Sequence, residues 1–162
     1  MKTLEFNPHK NKKNFLKNYS LHDLAEKHGK NLLIQWGMGF KNFGDDLRNE
    51  KVWEKGKDRP DLKIKYKNKI ALIDWKGKHD FIWKLNKRAF ESYSFWSDKL
   101  NIPMFVVFFV FNKDNNFNSV CFANLEKNKF VESDKKAWDK NKTVITEDEL
   151  PFFTKANLFN FF

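Results

Sequence analysis

One cysteine, Cys121, is the whole thiol content of the 162-residue chain, and it lies inside an apolar run. An intrachain disulfide framework is excluded, and a lone thiol suits a reducing compartment. A buried, inert thiol is the default for such a cysteine; a nucleophile is the sharper alternative. Four histidines, His9, His22, His28 and His79, lack the spacing of a zinc site. Gly37-x-Gly39 lacks the remaining glycines of a dinucleotide site, and no Walker loop is present. The longest apolar run, Met104 to Phe111, is far shorter than the roughly 20 residues of a membrane helix. Met1 to Ser20 is polar and Lys/Asn-rich, without the apolar stretch of a signal peptide. These absences imply a soluble, cytoplasmic chain with no membrane partner. No repeat or Pro/Gly/Ser linker divides it. A single domain over 1–162 is expected, with 1–18 a basic arm, a core over 20–125 and a C-terminal extension over 126–162.

Arginine is nearly missing too: three Arg stand beside 28 Lys, against 21 acidic residues, for a formal charge of +10. That balance favours a polyanionic partner, nucleic acid before an anionic surface. Nineteen Asn and 19 Phe accompany the lysines. All three residue types have codons built from A and T alone, so AT-rich coding accounts for part of the charge.

Hydrophobic periodicity supplies the elements. Ser20 is placed to cap a helix from Leu21 to about Trp36, interrupted at His28-Gly29, with Gly37, Gly39 and Gly44 breaking regular structure after it. Val52-Trp53 suggests a first strand. From Asp61 to Lys67, Leu62, Ile64 and Tyr66 alternate with lysines, which is a half-exposed strand. Lys67-Asn68 reads as a tight turn. Lys69 to Lys76 reads as a more buried strand that Gly77 ends. A helix is expected over Phe81 to Leu100, with Leu85, Ala89, Tyr93, Trp96 and Leu100 as its apolar stripe. Met104 to Phe111 is a buried strand, and the strand–helix–strand series implies a parallel pair. Asn112 to Asn118 is a turn and Ser119 to Leu125 another strand. Asp134 to Asp139 is expected as helix, Thr146-x-x-Glu149 as a capping box, and the apolar tail Leu158 to Phe162 as docked.

The hairpin carries chemistry. With Lys67-Asn68 as a two-residue loop, Tyr66 faces Lys69, and the same register carried to the open end sets Asp61 opposite Asp74. Facing side chains in such a ladder lie roughly 4.5–5.5 Å apart at Cβ. Lys76, two residues beyond Asp74, shares their face, while Trp75 points the other way with Leu62, Ile64, Ala71 and Ile73. Two opposed carboxylates at the end of a buried strand repel each other and lose solvation. Such a pair makes sense around a hard divalent cation, with the ammonium beside it orienting water or meeting phosphate charge. The bland alternative is a surface sheet in which Asp74 pairs with Lys76 or Lys63.

Pro60-Asp61 and Asp74-Trp75-Lys76, with the order of elements around them, resemble the PD-(D/E)xK nuclease superfamily. That superfamily includes restriction endonucleases and archaeal Holliday-junction resolvases, and the resemblance spans about residues 20–111. It implies an α/β restriction-endonuclease-like core, a mixed central sheet flanked by helices in the order αβββαβ. It implies hydrolysis of DNA phosphodiesters with Mg²⁺ or Mn²⁺, leaving a 5′-phosphate. Asp61, Asp74 and the Trp75 carbonyl would hold the metal, and Lys76 would position or activate the attacking water. Many members add a glutamate on the first helix. Glu26 is the candidate here, with Glu50 and Glu54 as substitutes.

Lys78, which shares parity with Asp74, and Lys84, Lys87 and Arg88 on the following helix are candidate DNA contacts; a solvated helix face is their ordinary reading. A dimer is expected from the resolvases of this size. Two other readings stand beside the nuclease: a catalytically silent nucleic-acid-binding protein on the same fold, and a basic protein-interaction domain.

Overall fold

The computed structural model describes residues 8–43, 58–133 and 142–162, with side chains from Ser20 onward. Helix α1 spans Pro8–Gln35. It starts at Pro8 rather than Ser20, so residues 8–18, expected as an arm, are helical. Proline at a first helical position gives up an N–H that has no partner within the helix. Residues 1–7, the Val52-Trp53 strand, the Asp134–Asp139 helix, Glu50 and Glu54 lie outside the described residues.

Leu21, Ala25 and Leu33 are buried along one side of α1, and Gly29 falls in the same four-residue series. The helix runs through Gly29 because the glycine is a docking notch: a Cβ there would overlap the Trp75 indole. Glycine costs the helix about 1 kcal/mol against alanine. Burying a large apolar side chain stabilises by about 2–3 kcal/mol, and Trp75 is fully buried, so packing wins. After Gly37, at φ 72°, come strands β1 (Gly39–Asn42), β2 (Leu62–Tyr66) and β3 (Lys69–Lys78).

The β2–β3 ladder pairs Tyr66 with Lys69 and Leu62 with Ile73, the register expected from the two-residue turn. Lys67 takes φ 56° there, as the first central residue of a primed hairpin turn must. β3 continues through Gly77, where an end was expected. The backbone of α1 at Leu21 lies so close that a Cβ on Gly77 would strike its carbonyl. Gly77 and Gly29 together let α1 lie against β3.

The expected helix over Phe81 to Leu100 is two elements. Strand β4 spans Trp83–Asn86 and helix α2 spans Lys87–Leu100. Leu85 suits a helical stripe and a strand equally. Pairing decides between them: β4 lies against a distant strand, β8 (Thr143–Thr146), which also pairs with β7 (Val131–Ser133). α2 ends at Asn101, in the left-handed conformation at φ 54°. β5 (Met104–Phe111) is buried throughout and runs parallel to β3, and β6 (Phe117–Asn124) pairs antiparallel with β5.

The main sheet has the order β1-β2-β3-β5-β6, and β4-β8-β7 forms a small second sheet. This is the α/β class expected, a mixed central sheet flanked by helices. On one face α1 and the last helix, α3 (Lys155–Phe161), cover Leu62, Ile64, Ile73, Trp75 and Phe109. On the other, α2 and the small sheet cover Leu72, Val106 and Phe108. The cap before α3 is Thr154, which accepts from the Asn157 N–H. Thr146 is instead a strand residue whose hydroxyl accepts from the Asp148 N–H. The tail is docked through fully buried Leu158. Among the described residues no helix is long and apolar enough to cross a membrane.

Candidate active site

β2 starts at Leu62, whereas β3 runs on to Lys78. Beyond Ile73 the edge of β3 therefore has no β2 partner, and this notch holds the candidate site. Asp61 enters it just before β2. Its carbonyl accepts from the Phe43 N–H at 3.0 Å, and its Oδ2 accepts from the Trp75 N–H at 2.9 Å. The carboxylate thus caps the first β3 amide that the hairpin ladder leaves over.

Asp74 faces the α2 side and is 2% exposed. Lys76 Nζ lies 2.8 Å from Asp74 Oδ2 and 3.5 Å from the Tyr93 hydroxyl, which accepts from it. Tyr93 arrives from α2, on the stripe with Ala89 and Trp96. The Lys76–Asp74 contact is close but poorly aligned, and Asp74 Oδ2 is buried without a hydrogen bond. The structure therefore brings Asp61, Asp74 and Lys76 into one cluster, and Tyr93 with them.

Burial, reinforced by Asp74, pushes the Asp61 carboxyl up to about 8, against the pull of the Trp75 N–H and Lys76. Burial works against the Lys76 ammonium, but Asp74 and Tyr93 outweigh it and hold Lys76 well above its usual range. Burial and Asp74 push the Tyr93 phenol up as well. The site thus holds two adjoining carboxyl groups, one of them raised by burial, and a buried Asp74 oxygen with no aligned donor. Two carboxylates and a backbone carbonyl suit a hard divalent cation that completes its shell with water.

Glu26 does not reach Asp61 or Asp74 directly. Its Oε1 accepts from Lys30 at 2.6 Å, and its Oε2 lies 3.7 Å from His22 Nε2. His22, one turn earlier on α1, makes the connection: Nε2 is 3.7 Å from Asp61 Oδ1 and Nδ1 is 3.2 Å from the Trp75 carbonyl. Sequence reasoning tested His22 only for zinc spacing and took Tyr93 as core. The available signal was the His22–Glu26 pair at i, i+4; what places it at the notch is the close contact of α1 at Gly77 and Gly29.

The candidate DNA contacts scatter. The Lys78 side chain is 13% exposed and lies 3.5 Å from Asp80, with burial lowering its pKa. Lys84 and Lys87 do not share a helix face, because Lys84 is in β4 and Lys87 opens α2. Lys87 lies 3.7 Å from Glu132, and Arg88 3.3 Å from Asp58. Cys121 is a buried thiol, pushed up to about 12 by burial, which leaves no reactive thiolate near neutrality. Among the described residues no cluster of three or more His, Cys, Asp or Glu side chains is arranged to hold a metal, so a cation here would rest on two carboxylates, the carbonyl and water.

No protein-family model matches the chain, and no curated protein matches it in sequence. Among solved structures it is similar to Hjc of Archaeoglobus fulgidus, a Holliday junction resolvase from an archaeal hyperthermophile. The TM-score is 0.51 with 11% identity, over 76% of this chain and 86% of that one. At that identity the likeness is one of fold.

Proposed function

We propose that this chain is a metal-dependent endonuclease that hydrolyses DNA phosphodiester bonds with Mg²⁺ or Mn²⁺, of resolvase or repair/restriction type. The observation that carries the proposal is the notch beyond β2. There Asp61, held by the Trp75 N–H at 2.9 Å, adjoins buried Asp74, and Lys76 stands 2.8 Å from the Asp74 carboxylate. The fold shared with a resolvase is consistent with it.

Asp61, Asp74 and the Trp75 carbonyl are the donors that would hold the metal. A bound Mg²⁺ would lower the pKa of a coordinated water and offset charge on the phosphate. Asp61 would give up its proton to enter the donor set. Lys76, an ammonium ion-paired at 2.8 Å, has no free electron pair to take a proton. Its role is to orient water and meet developing phosphate charge. Tyr93, through its 3.5 Å contact, and Asp74 set the direction of that ammonium. Glu26 acts through His22, which touches both Asp61 and the Trp75 carbonyl.

A silent nucleic-acid-binding protein is the second reading, favoured by one contact: His22 Nδ1 already lies on the Trp75 carbonyl. Plasmid, four-way-junction and single-stranded DNA incubated with Mg²⁺, Mn²⁺ or EDTA separate the two. Metal-dependent cutting lost in Asp74→Asn and Lys76→Ala supports the nuclease. Binding without cutting in either metal supports the silent protein. Cutting that survives both substitutions removes the site.

A further inference from the structure

Past Lys76, β3 carries one more side chain on the face of Asp74, that of Lys78. The step from Lys76 to Lys78 is about 6.8 Å, roughly two 3.4 Å nucleotide rises along a duplex strand. Lys78 is not a solvated surface lysine: its side chain is nearly buried, and burial lowers its pKa. Asp80 Oδ1 lies 3.5 Å from its ammonium and also accepts from the Ile82 N–H at 3.1 Å. Lys78, Asp80 and Ile82 together fix the bend between β3 and β4.

That bend turns Phe81 outward. Phe81 is 58% exposed, and its ring meets that of Trp83 at 6.1 Å and 82°. The edge contact holds the Phe81 ring without covering it. Trp83 in turn packs on buried Phe108, ring centroids 5.2 Å apart, and Phe108 is the β5 partner of Lys76. Phe81 is thus joined to the candidate site through Trp83 and Phe108, on the α2 side of the sheet. A lone exposed phenylalanine is ordinary. This one ends a series of rings rooted beside Lys76, next to a nearly buried ammonium, with Lys84 near enough to repel that ammonium.

Positive charge and an open aromatic ring in one place fit a nucleic acid strand, with phosphate at the ammonium and a base on the ring. A base inside a continuous duplex has both faces covered by its neighbours, so only an unpaired or terminal base can lie on Phe81. We propose that Phe81 is a stacking platform for an unpaired base of a DNA strand about two nucleotides from the bond at Asp61 and Asp74, with Lys78 holding a phosphate of that strand. The inference deepens the nuclease reading by naming the substrate as DNA with unpaired nucleotides, at a branch, gap or flap, and it rests on that reading for the position of the bond.

The test is binding in EDTA, where nothing is cut, to a labelled duplex with a short single-stranded gap and to the same duplex unbroken, by wild type, Phe81→Ala and Phe81→Tyr. Stacking on an aromatic side chain predicts a loss of about 5- to 150-fold on gapped DNA for Phe81→Ala. Phe81→Tyr should bind it almost as wild type does, and neither variant should change binding of the unbroken duplex. A 2-aminopurine in the gap should lose fluorescence on binding wild type and keep it with Phe81→Ala. Equal losses on both DNAs, or gapped-DNA binding that ignores Phe81 in a folded variant, overturn the platform. So does self-association in sedimentation that disappears in Phe81→Ala, which would make the ring a contact between copies of this chain. Cleavage is scored separately in Mg²⁺. A wild type that grips gapped DNA through Phe81 and cuts neither DNA keeps the platform and removes the nuclease. A wild type whose cutting is abolished by Asp74→Asn, while gapped-DNA binding ignores Phe81, does the reverse.

Discussion

Asp61→Asn should make the metal-free protein more stable. In the fold the Asp61 carboxyl titrates at about 8, against an ordinary value of 3.8, because burial and the neighbouring Asp74 disfavour its charge. The folded state therefore holds a proton that the unfolded chain releases as pH rises above about 4. Folding stability falls through that window by about 1.4 kcal/mol per unit, then levels above about 8. At pH 7 the accumulated cost reaches about 4 kcal/mol. Solvent reaching a side chain that is 24% exposed reduces it to about 2 kcal/mol. Asparagine keeps an oxygen for the Trp75 N–H, replaces the proton shared with Asp74 by an amide N–H, and never ionises. Urea denaturation in EDTA from pH 5 to 9 measures the difference. The variant should be ahead by just under ~1 kcal/mol at pH 5 and by about 2.5 kcal/mol at pH 8, its advantage growing steadily between. Added Mg²⁺ should narrow the gap by stabilising wild type alone. A variant that is less stable than wild type at pH 8, or a difference that does not change with pH, refutes the electrostatic account of the notch.

Gly29→Ala raises helix propensity by about 1 kcal/mol, yet it should destabilise by about 1–3 kcal/mol, because its Cβ meets the Trp75 ring; a higher Tm would contradict the docking role. Cys121, pushed up to about 12 by burial, should react with a thiol reagent at the rate of unfolding, and fast labelling of native protein would contradict its placement. Glu26→Gln should weaken Mg²⁺ binding by about 10- to 100-fold, as expected of a group that acts through a ligand's neighbour, and His22→Ala should remove most of that sensitivity. Calorimetric Mg²⁺ titration of the two single variants and the double variant checks this, and fully additive losses would separate the two residues.

The hairpin could be read because its information is local. A two-residue turn sets the register, strict alternation sets the faces, and Asp61, Asp74 and Lys76 follow from counting. β5 was equally plain, eight apolar residues before a turn. What escaped depends on distant partners. Trp83–Asn86 is a strand because Thr143–Thr146 pairs with it, and no periodicity near Leu85 carries that fact. Gly77 looked like a strand end and Gly29 like a helix break. Both are contact points between α1 and β3, where the glycine is explained by the neighbouring element rather than by its own. His22 reaches the site through the same contact, so its part could not be seen before the helix was docked.

The claim that Asp61 and Asp74 form a cation site is tested most directly by anomalous scattering from crystals grown with Mn²⁺. A single strong peak bridging the two carboxylates, within bonding distance of the Trp75 carbonyl and absent from crystals of Asp74→Asn, is the expected result. No peak in the notch at saturating Mn²⁺, or a peak that survives Asp74→Asn, would contradict it.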